Sequence, residues 1–121
     1  MISRIWKGNV PMEKKESYLQ YIRETGLEEY ARTPGNLGAY LLIQDQGDEC
    51  EFMTLSFWDS VESIRGFAGE DYEAAKYYPE DEAFLVDRVE KVDHHEVVFC
   101  HPEAPTLPEI GAPEIGASRI K

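Results

Sequence analysis

Cysteine is scarce in this sequence. Cys50 and Cys100 are its two, with no CxxC pair and no metal-type spacing, so free thiols are expected and a disulfide scaffold is excluded. Basic residues are also few: 12 Lys and Arg stand against 24 Asp and Glu, a formal net charge of -12. Such a surface repels phosphate backbones and anionic lipid, which argues against nucleic-acid and membrane partners. No apolar run approaches the roughly 20 residues of a membrane helix. Met1 to Pro11 has no basic start, apolar stretch or small-residue cleavage site, so a cytoplasmic location is expected. There is no phosphate loop, no Ser-His-Asp pattern and no metal-ligand cluster.

What remains is an ordinary globular composition, 42% hydrophobic over 121 residues, which suits one domain with one core. Ile2 to Lys7 alternates like a strand and Gly8-Asn9 is expected to stop it. Pro11 suits a first helical turn. Tyr18, Leu19 and Ile22 then mark one helical stripe, weakened at Gly26 and ended by Thr33-Pro34-Gly35-Asn36. Strands over 38–44 and 51–58 flank the turn Gln46-Gly47-Asp48 and read as a hairpin. Asp59, with Glu62 three residues on, predicts a capped helix. That helix carries Val61, Ile64, Phe67 and Ala68 and stops at Gly69. Tyr72 to Tyr78 reads as a short helix, Pro79 as the start of a further turn through Phe84 and Leu85, and 87–99 as the last strand. From His101 the chain changes character. Four of its seven prolines lie between Pro102 and Pro113, and Pro-Glu-Ile-Gly-Ala occurs twice, so 101–121 is expected to be a Pro-rich extended tail after a domain of residues 1–100.

This order predicts an α+β domain of βαββαβ type. Right-handed crossovers favour a four-stranded antiparallel sheet in the order 4-1-3-2, with helices on one side. The uncovered face of such a sheet should be polar. Here both faces of the hairpin strands are apolar, which predicts a homodimer with sheets face to face. One set is aliphatic: Leu41, Ile43, Met53, Leu55 and Phe57, expected at the seam. The other mixes aromatic and polar groups, Arg4, Trp6, Tyr40, Gln44, Thr54, Ser56 and Trp58, and is expected to line a pocket beneath the helices.

Several stretches resemble the antibiotic biosynthesis monooxygenase-like family. They are Ile2-Ser3-Arg4-Ile5-Trp6-Lys7-Gly8, Thr33-Pro34-Gly35-Asn36, Ser56-Phe57-Trp58-Asp59-Ser60, Ile64-Arg65-Gly66-Phe67-Ala68-Gly69 and Tyr77-Tyr78-Pro79-Glu80-Asp81. The resemblance spans about residues 1–99 and implies a ferredoxin-like subunit that pairs into a dimeric α+β barrel. It also implies a cofactor-independent monooxygenase acting on a small aromatic or quinonoid substrate. The alternative is a non-catalytic small-ligand-binding dimer of the same fold. The haem-degrading members have an Asn, a Trp and a ligating His where this chain has Trp6, Phe67 and Tyr77, which argues against haem; no other cofactor and no metal is expected.

The expected catalytic residues are Arg4, Trp58, Tyr77 and His95, and the expected substrate-binding residues are Trp6, Tyr40, Thr54, Ser56, Phe67 and Tyr78. Arg4 suits a phenolate or peroxide charge, or else an ion pair with an acidic neighbour. Trp58 suits either a pocket wall or the core. Tyr77-Tyr78 suits either substrate hydrogen bonds or a core-and-cap pair. His94 and His95 are adjacent in a strand, so their rings point to opposite faces and cannot readily share a metal.

Overall fold

A computed structural model of the chain describes residues 1–102. The expected tail therefore lies, from 103 onward, outside the described residues. Four strands are present: β1 (Ile2–Pro11), β2 (Asn36–Gln46), β3 (Glu49–Trp58) and β4 (Asp93–Glu96). Four α-helices accompany them: α1 (Lys15–Glu24), α2 (Gly26–Arg32), α3 (Val61–Ala68) and α4 (Asp81–Phe84). A 3-10 turn, Met12–Lys14, leads into α1. The strands form one antiparallel sheet in the order β2-β3-β1-β4, so the fold is α+β. None of its helices is long and apolar enough to cross a membrane among the described residues.

Local chemistry explains most element ends. Gly47, at φ +71°, makes the tight turn between β2 and β3. The first helical stretch divides at Thr25, whose hydroxyl donates to the Tyr21 carbonyl at 2.9 Å. The α3 cap falls one residue later than expected. Ser60 caps it by accepting from the Ser63 amide at 3.2 Å, while Asp59 accepts from the Ser60 and Ser63 hydroxyls. Gly69 ends α3 with φ +99°.

Three elements differ from expectation. β1 runs on through Gly8-Asn9 to Pro11, because the hairpin strand beside it is long enough to pair every position from Ile2↔Trp58 to Pro11↔Glu49. β4 is only four residues long, and it meets only the first part of β1, from Ile2 to Ile5. Residues 72–78 are not helical. Ala74 and Lys91 form an isolated bridge, Ala75 N donates to Glu90 O, and Val92 N donates to Glu73 O. The Tyr72 and Ala74 carbonyls, which a helix would turn along its own axis, are instead taken by Arg4.

Registry decides the two faces. Residues directly opposite in neighbouring strands share a face, so Arg4, Ser56 and Ala39 lie together, as do Trp6, Thr54 and Leu41. With Val10, Cys50, Phe52 and Trp58 these residues face the helices, where Tyr18, Ile22, Leu27, Tyr30, Ile64 and Phe67 complete the core. The opposite face carries Ile5, Tyr40, Leu42, Met53, Leu55 and Phe57. The expected grouping is therefore correct for β1 and β3 and reversed for β2. Leu41 and Ile43 lie on the helix side, whereas Tyr40 and Gln44 lie on the open side. Apolar and polar residues alternate too weakly in β2 to specify its registry. Both cysteines are free thiols, with Cys50 buried.

Gly8 is required by packing. A Cβ there would meet Trp6 Cζ2 and Cη2 at 2.6 and 2.7 Å and Leu85 Cδ2 at 3.0 Å. Gly8→Ala should therefore lower the unfolding free energy by roughly 1–3 kcal/mol, the usual cost of overpacking. Urea denaturation checks this, and an unchanged midpoint would mean that the Trp6 ring has another place to lie.

Candidate functional site

The pairing of β1 with β3 and β4 puts Arg4 beneath the helices, where it is 2% exposed. Removing a guanidinium from water is costly unless its donors are satisfied. Nη1 donates to Tyr72 O at 2.5 Å and approaches His94 Nε2 at 3.1 Å, and Nη2 donates to Ala74 O at 3.0 Å. The cation also lies 5.6 Å from the centre of the Phe67 ring. No carboxylate pairs with it among the described residues. Burial lowers the Arg4 pKa, and the neighbouring Tyr30 hydroxyl partly restores it. The ion pair expected as the simple explanation of Arg4 is thus replaced by neutral acceptors.

Beside Arg4 is a cavity with about 40 Å³ of space for the centres of water-sized molecules. That is enough for a few waters or a small ligand group. Its wall includes Arg4 and Trp6 from β1, Thr54 from β3, Tyr18 and Tyr30 from α1 and α2, and Phe67 from α3. Lys76, Tyr78 and Asp81 line it as well, together with Ile22, Thr25 and Gly26.

The polar groups on this wall are held in fixed positions. Tyr30, stacked on Phe67, shares a 3.0 Å hydrogen bond with Thr54. Burial raises its pKa, so it is a neutral phenol. Asp81 accepts from the Tyr18 hydroxyl at 2.9 Å and from the Tyr78 amide at 2.6 Å. Burial also raises the Tyr18 pKa, and Asp81 adds to this. The Tyr78 hydroxyl donates to Glu29, and its pKa is raised by burial first and by Glu29 second. Lys76 bridges Glu29 at 2.6 Å and Phe67 O at 2.8 Å. Burial works to raise the Glu29 pKa, but the hydrogen bonds from Lys76 and Tyr78 outweigh it and hold the carboxylate ionised.

Of the residues expected from the sequence, Arg4, Trp6, Thr54, Phe67 and Tyr78 come together on this wall. Trp58 does not join them. It is fully buried against Tyr30 and Phe67, with Nε1 donating to Ser56 Oγ at 2.9 Å, so both Trp58 and Ser56 stand behind the wall. Tyr77 is likewise set aside, accepting from Trp6 Nε1 at 3.3 Å and donating to Val89 O at 2.7 Å. Tyr40 and His95 lie on the open face of the sheet, Tyr40 opposite Leu55 and His95 opposite Ser3. His94, not His95, shares Arg4's face, because the β1–β4 registry places it opposite Arg4.

Tyr18, Tyr30, Lys76 and Asp81 were not anticipated as wall residues. The apolar stripe through Tyr18 and Ile22 signals the first of them. No sequence pattern signals Lys76 or Asp81. No group of three or more His, Cys, Asp or Glu able to hold a metal ion occurs among the described residues. No family model matches the chain, and no curated protein matches it significantly.

His94 gives a pH signature. Its pKa is lowered by burial first and by Arg4 second. A histidine held neutral in the fold, with an unfolded pKa near 6.5, binds more protons when unfolded. Its stabilising contribution is complete above about pH 6.5 and is lost as pH falls through the lower folded value. His94→Gln should therefore flatten the loss of thermal stability below about pH 6.5. Identical profiles for the two proteins would show that the His94 pKa is the same in the folded and unfolded states.

Proposed function

We propose that the cavity is a small-molecule site for cofactor-independent oxygenation of an electron-rich phenol or hydroquinone. One observation carries the reading: Arg4 is buried on the wall of an aromatic cavity with no carboxylate partner among the described residues. A low-dielectric site with an uncompensated cation favours a bound anion and stabilises charge that develops during reaction. The resemblance of the β1, β3 and α3 segments to the monooxygenase-like family supports the same chemistry, and with it a ferredoxin-like subunit.

In the proposed reaction a hydroquinone loses a proton, and its anion passes an electron to dioxygen. The two radicals join as a ring-carbon peroxide, and loss of water leaves a hydroxyquinone. One oxygen atom stays in the product, the other leaves as water, and the substrate supplies all the electrons. Arg4 neutralises the anion and the peroxide, Tyr30 and Thr54 offer hydrogen bonds, and Trp6 and Phe67 hold the ring. Trp58 supports the wall from behind.

A binding site without chemistry is the second reading, and Asp81 favours it. Both oxygens of this wall carboxylate are already engaged, by the Tyr18 hydroxyl and the Tyr78 amide. Oxygen uptake with a panel of hydroquinones separates the two. Wild type should exceed the spontaneous rate and Arg4→Lys should fall at least about tenfold below it, as for loss of one charge-stabilising contact. Saturable binding without uptake would leave only the second reading.

We further infer that the open face of the sheet is covered by a second copy. Leu42 is 45% exposed and Tyr40 37% exposed there, beside Ile5, Met53, Leu55 and Phe57. A contiguous apolar sheet face of this kind suits face-to-face pairing. Leu55→Asp, remote from the cavity, should convert a dimer to a folded monomer in sedimentation velocity. A wild-type monomer would refute the pairing.

A further inference from the structure

The donors of Arg4 permit a narrower statement about the ligand, one that rests on the cavity being a binding site. A guanidinium has five N–H groups. Two on Nη1 meet Tyr72 O and His94 Nε2, and one on Nη2 meets Ala74 O. None of those three residues contributes to the cavity wall. The Tyr30 hydroxyl, a neutral group on the cavity wall, is a further hydrogen-bonding neighbour of the guanidinium, and no carboxylate pairs with it among the described residues. Nε and Nη2 form one edge of the planar group, and that edge matches the two oxygens of a carboxylate through parallel hydrogen bonds.

We propose that the site recognises a small aromatic carboxylic acid, its carboxylate paired with Arg4 and its ring against the aromatic wall. Three observations converge on this class. The cation is buried and lacks a counter-charge, so a ligand already anionic at neutral pH gains more than a phenol, which must first ionise. The cavity, with about 40 Å³ open to the centres of water-sized molecules, admits a small ligand. Trp6, Phe67 and Tyr78 supply flat apolar walls, and the Tyr30 hydroxyl stands beside Arg4. Lysine at position 4 would keep the charge and lose the two-pronged geometry.

The test compares benzoate with benzamide on the wild-type protein, following tryptophan fluorescence, to which Trp6 contributes from the cavity wall. The two probes share shape and ring and differ in charge. Benzoate should bind saturably and at least about tenfold more tightly, the low end of what a charge-assisted pair contributes. Arg4→Lys should remove most of that preference, with far-ultraviolet circular dichroism confirming the fold. If Arg4→Lys unfolds, the benzoate-to-benzamide ratio of wild type decides alone. Benzamide binding as tightly as benzoate, or no saturable binding of either, overturns the proposal. Oxygen uptake stays an independent readout. Hydroquinone turnover that benzoate does not inhibit would refute the carboxylate reading and keep the oxygenase. Benzoate binding with no uptake from any hydroquinone, hydroxylated benzoates included, would do the reverse.

Discussion

The burial of a cation, Arg4, with no counter-ion among the described residues is the constraint on which the arrangement around the sheet depends. Desolvating a guanidinium costs several kcal/mol unless its donors find acceptors. Arg4 finds them in the Tyr72 and Ala74 carbonyls, two residues apart in a segment of turns that ends in an isolated bridge. That requirement explains why the segment after α3 is irregular. Its peptide groups are committed to Arg4 on one side and to residues 90–92 on the other. The same contacts bring His94 against the guanidinium and select its neutral form.

Aromatic packing keeps a cavity open next to this charge. One cluster, Tyr18 with Phe52, Tyr21 and Phe84, ties α1 and α4 to the sheet. Another, Tyr30 with Phe67 and Trp58, ties α2 and α3 to its other end. The hydroxyls of Tyr18 and Tyr30 are each held by a buried partner, Asp81 and Thr54. A ring whose polar end is fixed cannot rotate freely to fill adjacent space. Glu29, Lys76 and Tyr78 form a third fixed group, linking α2 to the loop before α4.

The sheet serves two sides with different chemistry. Beneath the helices it offers Arg4, Trp6, Thr54 and Ser56. On the other side it offers aliphatic residues from β3 and β1 and the exposed Tyr40 and Leu42 from β2. Lys7, Glu51 and Asp93 share that open face with these apolar residues. The cavity and the open face are thus separated by the thickness of the sheet.

Much of this was set by the sequence alone. The element order, the Gly47 turn, the Gly69 stop, the helical stripes through Tyr18 and Ile22 and through Ile64 and Phe67, and the alternation of β3 follow from local spacing. Backbone period and turn chemistry need no distant partner to act. Tertiary structure alone decided the rest: which face of β2 looks inward, which histidine meets Arg4, that Trp58 is core and not wall, and that Arg4 is held by carbonyls of residues 68 and 70 positions away. Those outcomes depend on registry and on an irregular segment's hydrogen bonds. Both are settled by contacts between distant parts of the chain, so neither leaves a periodic trace in the sequence.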